Sequence, residues 1–168
     1  QQIDEAKVPV LFIELPSGQN GTLTPYPGQG IGQTWLSADG ATITLDRGIV
    51  KASRGMGDDI MGSSSNMPKW SKIDQNFTTY KRKVSYLGGN NKIIKRIYKC
   101  NVRKSNKKEF IKIWEVEFLV TKFTELCDHN GFEIKNFYYL DNREIVRMSS
   151  QYHSDTLGYI STQRLDRL

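Results

Sequence analysis

His129 and His153 are the only imidazoles in the chain, so any Ser-His-Asp chemistry must run through one of them. Both sit beside Asn, Ser or Asp in segments that read as turns, where an exposed loop histidine is expected. Asp39, Asp58 and Asp59 supply carboxylates that could act as acid or base on a glycosidic bond, and Asp58-Asp59 could instead hold a cation. The spacing predicts a short helix over 56–61, however, and aspartates at a helix start are favoured by its dipole alone. Gly28-Gln-Gly30-Ile-Gly32 matches a dinucleotide fingerprint only in its glycines. It follows Pro25-Tyr-Pro27 instead of a strand and opens no helix, so no cofactor is expected.

A second group suits binding better than catalysis. Tyr138 and Tyr139 lie near Asn136, and Tyr152 adjoins Gln151. A pyranose ring stacks on aromatic faces while amides bond its hydroxyls, so these residues are candidate contacts for a polysaccharide or a partner protein. Trp35 and Asp39 complete the set. The same residues on alternating strand positions could instead divide between core and surface.

The charge pattern is the strongest single signal. Between Asp74 and Glu109 the sequence has no acidic residue, yet it holds nearly half of the 24 lysines and arginines, against a net charge of +6. Lys81, Lys83, Lys92, Lys95, Arg96 and Lys99 form the candidate anion-binding surface, interleaved with the β-formers Tyr80, Val84, Tyr86, Ile93, Ile94, Ile97 and Tyr98. A basic strand-rich face attracts nucleic acid, acidic polysaccharide or an anionic membrane, and charge does not choose among them. A solvated lysine face is the plain alternative.

Cys100 and Cys127 are the only cysteines. They fit either one disulfide or two buried thiols. A disulfide would close a loop worth about 3.5 kcal/mol in the chain-entropy treatment. Neither belongs to a C-x-x-C pair, so no metal site is expected.

The elements that must carry these residues read as strands. At 168 residues, with 38% hydrophobic and 11% aromatic content, a single folded domain spanning 1–168 is expected. Val8–Leu15, Thr34–Ser37, Ala41–Leu45 and Ile49–Ser53 are short strands, with Asp39-Gly40 and Asp46-Arg47-Gly48 as hairpin turns. Ser17–Gly32 reads as an irregular loop and 62–69 as a flexible one. Longer strands follow at Phe77–Leu87, Lys92–Arg103, Glu109–Leu126 (bent or bulged), Phe132–Leu140, Arg143–Ser150 and Gly158–Leu165. A helix over Glu109–Leu126 would suit the spacing of Phe110, Trp114 and Phe118, but the β-branched content favours a strand. The expected fold is all-β, an antiparallel meander closing into a barrel or two-sheet sandwich.

The order of short motifs resembles a known family. Trp35-Leu-Ser-Ala-Asp-Gly40, Gly48-Ile-Val-Lys51 and Gly55-Met-Gly-Asp-Asp-Ile-Met61 are similar to the front half of the group 4 capsule polysaccharide lipoproteins (YjbF/GfcB). Tyr98-Lys-Cys100, Glu125-Leu-Cys127, Asn136-Phe-Tyr-Tyr-Leu-Asp141, Ser149-Ser-Gln-Tyr152 and Leu157-Gly-Tyr-Ile160 are similar to the back half. Tyr139 and Tyr152 depart from the family pattern, which has tryptophan at both, and Ser150 replaces a basic residue.

The resemblance implies a non-enzymatic lipoprotein on the periplasmic face of a Gram-negative outer membrane. Its lipid anchor and targeting segment would lie upstream of Gln1. It further implies an accessory role in exopolysaccharide or capsule production or export, with polysaccharide or export proteins as partners. An oxidising periplasm makes Cys100–Cys127 a disulfide. Two other classes compete with that expectation. One is a nucleic-acid-binding β module, with Tyr80, Tyr86 and Tyr98 stacking on bases. The other is a polysaccharide hydrolase or lyase working through Asp39, Asp58 or Asp59.

Overall fold

The computed structural model describes residues 8–28 and 33–166. These build one antiparallel sheet of twelve strands that curls into a nearly closed barrel. The strands are β1 (Val10–Glu14), β2 (Asn20–Pro25), β3 (Gln33–Ser37), β4 (Thr42–Asp46), β5 (Ile49–Arg54) and β6 (Ile60–Ser65). They continue with β7 (Thr78–Leu87), β8 (Ile93–Ile113), β9 (Val116–His129), β10 (Phe132–Leu140), β11 (Val146–Ser154) and β12 (Gly158–Leu165). Spatial order follows the sequence in both halves, and β1 pairs with β12 to join them. The outer strands β5 and β6 then meet as the two edges of the sheet.

Period-two alternation sorts the side chains. On β8, Tyr98, Cys100 and Val102 turn into the barrel while Lys95, Ile97 and Lys99 face water. Inward residues from both halves, among them Leu11, Trp35, Ile43, Tyr98, Tyr138 and Ile160, form one core. Bulges in the β4–β5, β6–β7, β8–β9, β10–β11 and β11–β12 pairings bend the sheet toward closure.

Turn chemistry explains most connections. Arg47 and Gly48 both take positive φ between β4 and β5. Only glycine fits at the second position, because a Cβ there would lie 2.2 Å from Val146 Cγ2. Asn130 and Gly131 make the equivalent turn between β9 and β10.

Several expectations are corrected. No helix forms over 56–61: Gly55 to Asp58 is a bend, and Ile60 and Met61 already belong to β6. Asp59 replaces helical bonding there, accepting from the backbone N–H of Gly55 (2.7 Å) and Met56 (3.0 Å). The segment 62–69 is not a free loop either. Gly62–Ser65 pairs with β7, and Met67 is buried. The chain then crosses one end of the barrel through a 3-10 turn at Trp70–Lys72. Met67, Trp70 and Ile73 close that end, with the Trp70 ring 5.0 Å from Phe123 and 5.2 Å from Tyr138. The Ser17–Gly32 stretch contains β2, while Gly30 and Gly32 lie outside the described residues.

Glu109–Leu126 is two strands. Ile113 pairs with Val116 across a two-residue turn whose first residue, Trp114, has φ +55°. Positive φ is uncommon for a bulky residue, which is why the turn left no sequence signal. The strand expected to end at Arg103 instead runs on through a bulge at 105–107 to Ile113.

Trp70→Ala should cost about 3–5 kcal/mol, because it removes the anchor of the end closure. Urea unfolding checks this, with the exposed Trp114→Ala expected to cost far less.

Candidate functional site

Lys81 and Lys83 on β7, Lys92 in the β7–β8 turn, and Lys95 and Lys99 on β8 are all exposed. The register sets Lys81 opposite Lys99 and Ser85 opposite Lys95. These lysines therefore share the outer face of the β7–β8 hairpin. The face is not continuously basic, since Asp128 on β9 and Glu133 on β10 extend the Lys81–Lys99 row.

Arg96 does not join that outer face. It belongs to the same side of β8 as Tyr98 and forks onto Asp155, donating at 3.0 and 2.6 Å. Asp155 also accepts from the Tyr152 hydroxyl. The guanidinium and that hydroxyl hold the Asp155 carboxyl down at about 2. As a neutralised pair at one end of the barrel, Arg96 is corrected from an anion-binding cation to a structural one.

The aromatic and amide candidates are also redistributed. Trp35, Asn136, Tyr138 and Gln151 are each at most 2% exposed and point into the barrel. A polymer on the outer surface cannot reach them. Tyr139 and Tyr152 are half-buried, and Asp39 is exposed in the β3–β4 turn, where the Ser37 hydroxyl lowers its carboxyl below the ordinary range. The structure therefore does not bring these seven residues together.

What it does assemble is a buried polar network around Glu125, which sequence reasoning did not single out. Arg82 donates to Glu125 Oε1 at 2.6 Å, while Asn136 and Tyr138 donate to Oε2 at 2.7 and 3.0 Å. Arg82 also donates to the Tyr80 hydroxyl at 2.9 Å. Burial pushes the Glu125 carboxyl up to about 7, against the Asn136 and Tyr138 hydrogen bonds. A buried carboxylate needs this many partners: losing Arg82 would leave its charge uncompensated, and losing Asn136 or Tyr138 would leave an oxygen short of a donor. Strand parity carried the missing signal, because Glu125 and Cys127 are two residues apart and face inward together.

Cys100 and Cys127 are directly opposed on β8 and β9 and form a disulfide, with Cα atoms 4.0 Å apart. Both sulfurs lie within 4.8 Å of the Glu125 carboxylate. They are spent in the bond, so this grouping is structural and offers no thiolate to a metal.

The histidines differ from expectation. His129 ends β9, with Nδ1 2.9 Å from the Ile97 carbonyl. His153 is not a turn residue but a fully buried member of β11. Its Nε2 lies 2.8 Å from Ser53 Oγ, which is 3.0 Å from Asp59 Oδ1.

This Ser-His-Asp grouping runs the wrong way for nucleophilic catalysis. The single Ser53 hydroxyl proton goes to the Asp59 carboxylate, so His153 Nε2 must donate to Ser53 and cannot accept from it. On its other side, His153 Nδ1 accepts from the Ser154 hydroxyl at 3.0 Å. Ser53 is also 1% exposed and accepts from the Ile60 N–H. The three residues tie β5, β6 and β11 together. Asp58 is engaged elsewhere, accepting from the Thr156 hydroxyl. The three aspartates therefore do not face one another across a cleft.

Burial lowers the His153 pKa below its ordinary 6.5. Below that value the unfolded chain binds a proton that the folded state excludes. The stability contribution is present above 6.5 and is lost as pH falls through the depressed folded value. Relative to His153→Gln, which keeps a donor toward Ser53, the wild type should lose thermal stability as the pH is lowered below 6.5. Parallel melting curves would reveal this as a converging difference.

No curated protein matches this sequence. By fold, the chain is similar to the crystal structure of the hypothetical lipoprotein YmcC from Escherichia coli K12. The TM-score is 0.87 at 16% sequence identity, covering 100% of this chain and 88% of that one. At that identity the likeness concerns architecture alone. The sequence profile described as group 4 capsule polysaccharide lipoprotein gfcB, YjbF matches residues 1–165. That near-complete match carries the assignment: the chain belongs to the group 4 capsule polysaccharide lipoprotein family.

Proposed function

We propose that this protein is a non-enzymatic accessory in the production or export of a capsule or exopolysaccharide. In this reading it acts on the periplasmic face of the outer membrane, held there by a lipid anchor. The observation that carries it is the family match over residues 1–165. The disulfide supports an oxidising compartment, since cytosolic thiols are normally kept reduced.

The non-enzymatic part draws on the arrangement of the polar groups. Ser53, His153 and Asp59 satisfy one another inside the barrel, and Asp39 and Asp58 are bonded to separate hydroxyls. Their hydrogen bonds brace strands and turns. The working surface is then the outside of the barrel, where exposed cations meet an acidic polymer or an acidic export partner. The nucleic-acid alternative is disfavoured by the placement of Tyr80, Tyr86 and Tyr98. All three are buried, so none offers a face on which a base could stack.

Deleting the gene should sharply lower cell-surface polysaccharide, and restoring the intact chain should recover it. Unchanged surface polymer in the deletion strain would contradict the proposal.

A further inference from the structure

The β8 bulge opens a groove that no described carboxylate fills. Register shifts between Lys104, opposite Phe123, and Lys108, opposite Thr121. Three residues of β8, 105–107, therefore oppose Lys122 alone. Bulges re-aim side chains in this way, and they recur beside working sites. The result is a surface groove of about 410 Å³, lined by Gln75, Arg103, Lys104, Asn106, Lys122 and Thr124.

Two of its cations are held in place by aromatic rings. The Arg103 guanidinium sits 4.8 Å from the Phe77 ring centre, and Lys122 Nζ is 4.2 Å from Phe137 and 5.6 Å from Tyr139. Neither these two nor Lys104 makes an ion pair with a described carboxylate, although Arg82, Arg96, Arg147 and Arg164 all do. Arg103, Lys104 and Lys122 thus line one groove without an ion-pair partner among the described carboxylates. Gln75, Asn106 and Thr124 add amide and hydroxyl groups between them.

We infer that this groove binds a carboxylate-bearing acidic saccharide, with Arg103, Lys104 and Lys122 contacting the carboxylates and Gln75, Asn106 and Thr124 contacting ring hydroxyls. Cations alone would serve any polyanion; the interleaved amides and hydroxyl suit a hydroxyl-rich one. Nucleic acid fits less well. The nearby rings of Phe77 and Phe137 are occupied by Arg103, Lys122 and Lys135, leaving no free stacking platform. The inference rests on the proposed function only for the polymer as ligand class, and it assigns that ligand a place distinct from the Lys81–Lys99 face.

Titration calorimetry with a galacturonate oligomer tests it on the intact chain. The variant Arg103→Gln/Lys104→Gln/Lys122→Gln should bind on the order of 100-fold more weakly than wild type. Lys81→Gln/Lys95→Gln/Lys99→Gln, with the same change in net charge, should bind within a few-fold of wild type. Thermal melting establishes that both variants fold. Should either fail, amide shifts of Asn106 and Thr124 on titrating the wild type provide the readout, and their absence would overturn the site.

Equal losses in the two variants would reduce binding to net charge and overturn the groove. An oligonucleotide of matched charge that binds as tightly would overturn the saccharide assignment. No binding by wild type would also overturn the inference, while the capsule phenotype of the deletion strain tests the cellular role separately.

Discussion

A single antiparallel sheet has two edges, and here the strands at those edges, β5 and β6, face each other without forming a backbone ladder. Unpaired edge groups would be costly if buried and would invite aggregation if exposed. Side chains close the seam instead. Gln151, reaching across the barrel from β11, accepts from the Val50 N–H at 2.9 Å and donates to the Gly48 carbonyl at 2.8 Å. Ser53 accepts from the Ile60 N–H, and Arg54 donates to the Ile60 carbonyl at 2.9 Å. Arg47 reaches the Pro68 carbonyl at 2.9 Å. Polar side chains of β5 and its preceding turn therefore tie that edge to β6 and the segment after it, while Gln151 of β11 satisfies it from the interior.

That closure decides where chemistry can occur. With β5 bonded to β11 through the middle of the barrel, the interior is filled by side chains and cannot enclose a polymer. The Arg82–Glu125–Asn136–Tyr138 network and the adjoining disulfide occupy the other inward flank. Ligand contact is left to the outer surface, where the long strand β8 carries Lys95, Lys99, Arg103, Lys104, Lys107 and Lys108 without ion pairs among the described residues. The same bulge that bends this strand also exposes the cations of the groove.

Much of this was legible in the sequence, and the failures have physical causes. Hairpins closed by Asp39-Gly40 and Arg47-Gly48 were readable because those residues tolerate the backbone angles that tight turns demand. Trp114 adopts such an angle without that chemistry, so two strands looked like one. The stretch 62–69 has loop composition, yet its serines sit on a paired edge strand and Met67 belongs to the core; small polar residues do not reveal the strand that they pair with. The barrel locations of Asn136 and Tyr138 were recoverable from period two, since they share parity with Ile134 and Leu140. His153 was hidden because its partners, Ser53 and Ser154, include one a hundred residues away. The groove was invisible because it depends on how a bulge sets Lys122 against 105–107, which no linear pattern specifies.

The closure of the seam is most directly tested by amide hydrogen exchange at Val50. If Gln151 fastens the β5 edge, the Val50 N–H will exchange as slowly as ladder amides in the native protein and much faster in Gln151→Ala. Rapid Val50 exchange in the wild type, or protection that survives the substitution, would contradict a barrel closed through its interior.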